Sequence, residues 1–267
     1  MKRVSCRSSL KIGVIILSTV LTVGAGNAHA QTGDSIVLVG VGNAGSWITE
    51  VVGSNPGGSL LWAQVNFEPT FHEPGPCPAL CPIVYFMIAP DGTHALQPDR
   101  VGHFAAGDRV TTIYVTPPFG TPLPSVRARV VNTLRPSQAI EVPAFKLSTL
   151  LALNPSALSF PGASRTETTR TNLALANLRR APGVDSGSVS ARVEAFSAGG
   201  QNLGSTLLLL ASGETRFLVD VLPDLGVHNL EVGQLRVTKQ AGDGYLWGTM
   251  FTTSADGSFT VSIGANP

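Results

Sequence analysis

Charge, aromatic rings and cysteine are all scarce in this 267-residue chain. Charged residues make up 13% and aromatics 6%, and two of the three cysteines fall after residue 30. Few charges, and those scattered, exclude the basic face that a nucleic-acid partner requires. The Ala, Glu, Lys and Leu richness of long helices is also missing, which excludes a helical bundle. After residue 30 no apolar run approaches the roughly 20 residues that a transmembrane helix needs. Catalytic signatures are missing as well. There is no Gly-x-Ser-x-Gly elbow and no His-Glu-x-x-His pair, and His72, His94, His103 and His228 fall in separate stretches with no carboxylate placed beside two of them. The expectation is a protein that is not an enzyme and holds no cofactor.

The first thirty residues read as a cleaved signal peptide. Lys2, Arg3, Arg7 and Lys11 precede the apolar run Ile12 to Val23, and Ala28-His29-Ala30 offers a small-residue cleavage site before Gln31. Residues 31–267 hold 14 basic and 17 acidic residues, a formal charge of −3. A secreted or periplasmic location follows as an expectation, with an unknown protein or glycan of the envelope as partner.

Gly, Pro, Ser and Thr are abundant, as suits many short strands joined by tight turns. Residues 36–41, 47–52, 60–67, 83–89, 126–131 and 139–145 read as strands, with a further β run inside 105–117. Asp-Gly pairs at Asp91, Asp243 and Asp256 carry the strongest short hairpin signal. Leu147 to Leu153 is the one stretch with helical character, and it reads as a linker or a last strand ended by Asn154-Pro155.

Two strings repeat. Ala105-Ala-Gly-Asp-Arg-Val-Thr-Thr-Ile-Tyr-Val-Thr-Pro117 is echoed by Ala211-Ser-Gly-Glu-Thr-Arg-Phe-Leu-Val-Asp-Val-Leu-Pro223, and Thr49 to Asn55 lies over Thr171 to Asn177. Phe160 to Ala163 would then fill the place of the first strand, and Val126-Arg127 would loosely match Leu235-Arg236. On this alignment 50 residues separate Asn55 from Ala105 and 34 separate Asn177 from Ala211, a 16-residue surplus assigned to a Pro-rich excursion at 68–82. The fold expectation is all-β, two tandem antiparallel β-sandwich domains of immunoglobulin-like architecture at 31–146 and 147–267, after the signal peptide at 1–30. The motifs Trp47-Ile-Thr-Glu with Asn55 and Arg170-Thr-Asn-Leu with Asn177, each followed by a small-Gly-acid turn and a β run, resemble uncharacterised bacterial secreted proteins built from tandem immunoglobulin-like β-sandwich modules. That resemblance implies an extracytoplasmic binding or structural role and brings no catalytic residues.

Three stretches are candidates for chemistry. Gly40-Val-Gly-Asn-Ala-Gly45 with Glu68 matches a dinucleotide fingerprint, but only seven residues, rich in β-branched types, separate Gly45 from the breaker Gly53-Ser-Asn-Pro. That leaves no room for the required helix, and a turn between strands is expected. Cys77 and Cys81 are expected to form a disulfide stiffening the excursion, worth about 2 kcal/mol on the chain-entropy model. A zinc site completed by His72 and His94 is the alternative. Trp62 alternates with Gln64 and Asn66, opposite Leu61, Ala63 and Val65. If the polar side faces outward, Trp62 is exposed beside the excursion, and Trp62, Phe71, His72 and Glu73 form the candidate partner surface. Trp62 would equally serve a carbohydrate-binding module or the accessory domain of an extracellular hydrolase. Leu60, on the same side, would instead suit a core.

Overall fold

A computed structural model describes residues 34–43, 47–67, 83–96, 109–118, 120–182, 184–256 and 258–264. Residues 1–30, expected to be a signal peptide, residues 68–82 with Phe71, His72, Glu73, Cys77 and Cys81, and His103 all lie outside the described residues. The disulfide and zinc expectations therefore do too. Four antiparallel sheets account for the fold. The first part of the chain supplies β1 (Ile36–Asn43), β2 (Trp47–Ser54), β3 (Leu61–Phe67), β4 (Ile83–Ile88), β5 (Thr93–Leu96), β6 (Arg109–Thr116), β7 (Ser125–Asn132), β8 (Arg135–Val142) and β9 (Phe145–Lys146). They form an outer sheet in the order β5-β2-β7-β8 and an inner sheet in the order β4-β3-β6-β1-β9.

After α1 (Leu147–Leu153), the second part supplies β10 (Ala157–Arg165), β11 (Thr169–Leu178), β12 (Val189–Ser197), β13 (Asn202–Leu210), β14 (Thr215–Leu218), a single turn α2 (Val221–Asp224), β15 (Leu230–Gly242), β16 (Tyr245–Ser254) and β17 (Phe259–Ile263). Here β14-β11-β16-β17 is the inner sheet and β10-β15-β12-β13 the outer one. The strand order of the first part thus recurs, with β1 to β8 replaced by β10 to β17.

Register makes the correspondence quantitative. Ile36 pairs with Val115 and Leu158 with Val237, while Thr49 pairs with Val130 and Thr171 with Thr252. In each case the counterpart lies 122 residues on. Two strands depart from this offset. Ala128 pairs with Val142 and Met250 with Ser262, so β8 and β17 are 120 apart. Val65 sits between Val115 and Val84, whereas Val193 sits between Val237 and Thr206, so β3 and β12 are 128 apart. The connection into the strand is six residues longer in the second part, and the connection out of it is six residues shorter.

This register corrects the repeated string. The counterpart of Ala211 is Ala89, not Ala105: Arg109–Thr116 is β6, a central strand, whereas Thr215–Leu218 is β14, an edge strand equivalent to β5. Nor do Val126-Arg127 and Leu235-Arg236 correspond, since one pair lies in β7 and the other in β15. The 16-residue surplus disappears, and the excursion adds six residues. Gly and acidic residues are common turn formers, so a small-Gly-acid string can precede unrelated strands.

The layers follow from burial. In the first part Ile36, Leu38, Val51, Ala63, Val65 and Ile113 form a core between its two sheets. Val37, Val39 and Tyr114 point the other way and join the core that Leu158, Phe160, Leu173, Leu175, Val193 and Leu235 build in the second part. The inner sheets are therefore packed on each other, and β1, β6, β11 and β16 are buried on both faces over most of their length. Gly40 makes this possible. It has φ of +83° and sits at a bulge between Val39 and Val41, which turns Val41 into the first core after Val39 has faced the second. A Cβ on Gly40 would lie 2.9 Å from the Phe251 ring. So Gly40 and Gly42 of the apparent fingerprint lie inside a strand rather than in a turn, and the next element is strand β2.

Two further expectations change. Leu147–Leu153 is a helix, with Leu147 and Leu150 in the core and Asn154, at φ of 28°, ending it before Pro155. Of the three Asp-Gly pairs, only that at Asp256 joins hydrogen-bonded neighbours, β16 and β17. Those at Asp91 and Asp243 carry the chain from one sheet to another. A turn signal reports reversal, not which sheet receives the chain.

Candidate functional site

Strands β3 and β4 form the open end of the first inner sheet. Their register sets Trp62 opposite Met87 and Gln64 opposite Tyr85. Alternation buries Leu61, Ala63 and Val65 in the core, which leaves Trp62, Gln64, Asn66, Tyr85 and Met87 on the other face. The same face, followed onto β6 and β1, is the one that packs on the second inner sheet. There Tyr114 is fully buried, and its hydroxyl accepts a hydrogen bond from the Arg179 N–H at 3.0 Å. The cover ends before β3. Trp62 is 47% exposed, Tyr85 58%, Met87 52% and Leu60, just before β3, 51%. Leu60 thus belongs to this surface and not to a core. Phe71, His72 and Glu73, the other three residues of the expected surface, lie in the undescribed segment between these two strands.

The face carries no charged side chain on β3 or β4. Gln64 Nε2 donates to Asn66 Oδ1 at 2.8 Å, and the buried Asn66 Nδ2 has no partner among the described residues. At the corresponding positions in the second part stand Ser190, Arg192 and Glu194 on β12 and Leu207 and Leu209 on β13. The aromatic, amide-bearing surface therefore belongs to the first part alone. Alternation already put Trp62 with its amides on one side. That this side lies beyond the edge of the covering sheet has no signal in sequence.

Among the described residues no group of three or more His, Cys, Asp and Glu side chains stands close enough to hold a metal ion, and no helix is long and apolar enough to cross a membrane. Asp34 is the clearest perturbed acid outside the turns. Burial raises its pKa, but the hydroxyl and N–H of Ser148 (2.6 and 3.0 Å), the Ser35 N–H and nearby Lys146 outweigh that and hold it below the ordinary carboxylate range. Its role is to anchor the start of α1. The fold and this surface define the class: an all-β protein of four stacked antiparallel sheets with one uncovered aromatic edge. Comparison with protein-family models and with curated proteins returns no match.

Proposed function

We propose that this is an extracytoplasmic, non-enzymatic interaction module, exported by the signal peptide at 1–30 and built from two immunoglobulin-like β-sandwiches that arose by tandem duplication. Its partner is a protein of the cell envelope, held on Trp62, Tyr85 and Met87. The observation that carries the reading is the uncovered face itself, a Trp and a Tyr beside a Met where the inner sheet overhangs its neighbour. Trp and Tyr dominate binding energy at protein contacts, and Met adapts to irregular partners. The spacing of 122 residues that recurs between most corresponding strands supports the duplication. Residues 68–82 join these two strands in sequence, and a Cys77–Cys81 disulfide within them belongs to this reading.

The test places a photo-crosslinking residue at Tyr85 in the native envelope and identifies what is captured. One discrete protein partner is expected, lost in Trp62→Arg. Capture that Trp62→Arg leaves unchanged would remove the face from consideration. A carbohydrate ligand is the second reading, favoured by the Gln64 amide, which follows Trp62 on the same face of β3 and stands opposite Tyr85, amide and rings together being suited to bonding a sugar's hydroxyls while stacking on it. Glycan-array binding abolished by Trp62→Ala would select it, and silence across the array would reject it.

A further inference from the structure

The two inner sheets touch at one end and diverge at the other, and between them lies a groove of about 790 Å³, within the range of small-molecule sites. At the closed end Thr249 Oγ1 donates to the Val39 carbonyl at 3.1 Å, and Val110 packs with Ala174 and Phe251. Register orders the floor from there outward. Phe217 pairs with Ala174, Asn172 with Phe251, and Arg170 with Thr253 at the mouth. Phe217 and Phe251 meet edge to face, with centroids 6.4 Å apart. Val219, 61% exposed, continues this apolar strip along the groove. The groove is thus apolar at depth and cationic at its opening.

The charges at the mouth are not equivalent. Arg165 is committed to Asp220 (3.1 Å) and to the His228 carbonyl (2.8 Å). Arg135 bridges from the first part to the Asp256 carbonyl. The Arg170 side chain is exposed and has no hydrogen-bond or ion-pair partner among the described residues, and Glu167 is the acid nearest it in sequence along the rim. We propose that this groove binds an amphiphilic organic anion, with an alkyl or aryl chain along Phe217 and Phe251 and a carboxylate at Arg170. A guanidinium pairs with a carboxylate through two parallel hydrogen bonds, while the chain leaves water for the apolar floor. The site needs both parts of the chain, because Trp47 and Asn132 of the first form the facing wall. It is separate from the Trp62 face and does not rest on that reading.

Dodecanoate, used below its micelle-forming concentration and followed by titration calorimetry, is the probe. One site per chain is expected, and dodecyltrimethylammonium, with the same tail and opposite charge, should bind about tenfold more weakly or worse. Arg170→Glu should reverse that preference, and Val219→Asp should weaken dodecanoate by about tenfold. Both positions are exposed, so both variants keep the fold, as an unchanged melting curve would verify. Equal affinity for the two amphiphiles, or dodecanoate affinity unchanged in both variants, would overturn the proposal. Trp62→Ala should leave dodecanoate binding intact, which separates failure of the groove from failure of the partner face.

Discussion

Asn55 and Asn177, 122 residues apart, make the same hydrogen bonds. Each shares its Nδ2 hydrogens among three carbonyls, Ser59, Ile88 and Ala89 for Asn55 (2.8, 3.1 and 3.2 Å) and Gly187, Leu210 and Ala211 for Asn177 (2.8, 3.2 and 3.0 Å). Each backbone N–H donates to a carbonyl 37 residues on, Gly92 or Glu214. Both side chains are buried at the point where the chain leaves one sheet for the other. The Asn thus supplies the pairing that buried turn carbonyls cannot find in a strand ladder.

Replacing either Asn with Ala strands those carbonyls, and a loss of about 2–4 kcal/mol is expected. Asn177→Ala should be the costlier change, because Asn177 Oδ1 accepts two hydrogen bonds, from the Tyr245 N–H at 3.0 Å and the Ser186 hydroxyl at 3.3 Å, whereas Asn55 Oδ1 accepts one, from the Gly57 N–H at 3.0 Å. Urea unfolding of both variants checks the order.

Gly40→Ala sets a Cβ against Phe251 in a backbone conformation that favours glycine. A destabilisation of about 1–3 kcal/mol is expected. Part of it should disappear in the Phe251→Leu background, so a double-mutant cycle should show coupling between residues on the two inner sheets.

Because Val37, Val39 and Tyr114 of the first part are buried in the second core, and Thr112 Oγ1 lies 2.8 Å from Thr215 Oγ1, the two parts should unfold together. Calorimetry should record one transition with equal calorimetric and van't Hoff enthalpies. Two resolved transitions would mean that the inner-sheet contact does not couple the parts.

Asp34 gives a pH dependence of known sign. Its pKa is lowered in the folded state, so the unfolded chain takes up the proton more readily. The stabilisation is present above the ordinary carboxylate pKa and is lost as pH falls through the folded value. Asp34→Asn should flatten the acid side of the stability profile and leave its neutral-to-basic slope unchanged. Asp34 is partly exposed, so the effect should be small. An acid limb identical to wild type would contradict this anchoring role.

Much of the strand content was legible because apolar runs bounded by Gly, Pro and Asp-Gly leave few alternatives. Thr49 and Thr171 were matched by string alone, and each forms the same pair of bonds to the backbone of the preceding strand, with Gly42 and Ser164 at 2.8 and 2.9 Å. The repeated Ala-x-Gly-acid string misled, because turn residues encode a local bend and carry no record of which strand follows. In sequence α1 reads as linker or strand because its seven residues span two turns, too short for a helical period to stand out, and its stability comes from Leu147 and Leu150 packing into the core. The groove is not legible in sequence, because Arg170, Phe217 and Val110 are far apart in the chain and belong to no chemical motif. One signal was present: Ile36 to Val39 and Leu173 to Ala176 are continuously apolar, as strands buried on both faces are.

The sequence by itself determined the all-β class, most strand positions and the division of β3 into two faces, because strand propensity, turn chemistry and two-residue alternation act over a few neighbouring residues. Only the tertiary structure decided that the two inner sheets stack, that the cover stops short of Trp62, and that the same two sheets part to open a groove at Arg170. Those outcomes depend on how one buried sheet lies on another, which is set by the packing of residues such as Gly40 and Phe251 that are distant in the chain and meet only when both parts are folded.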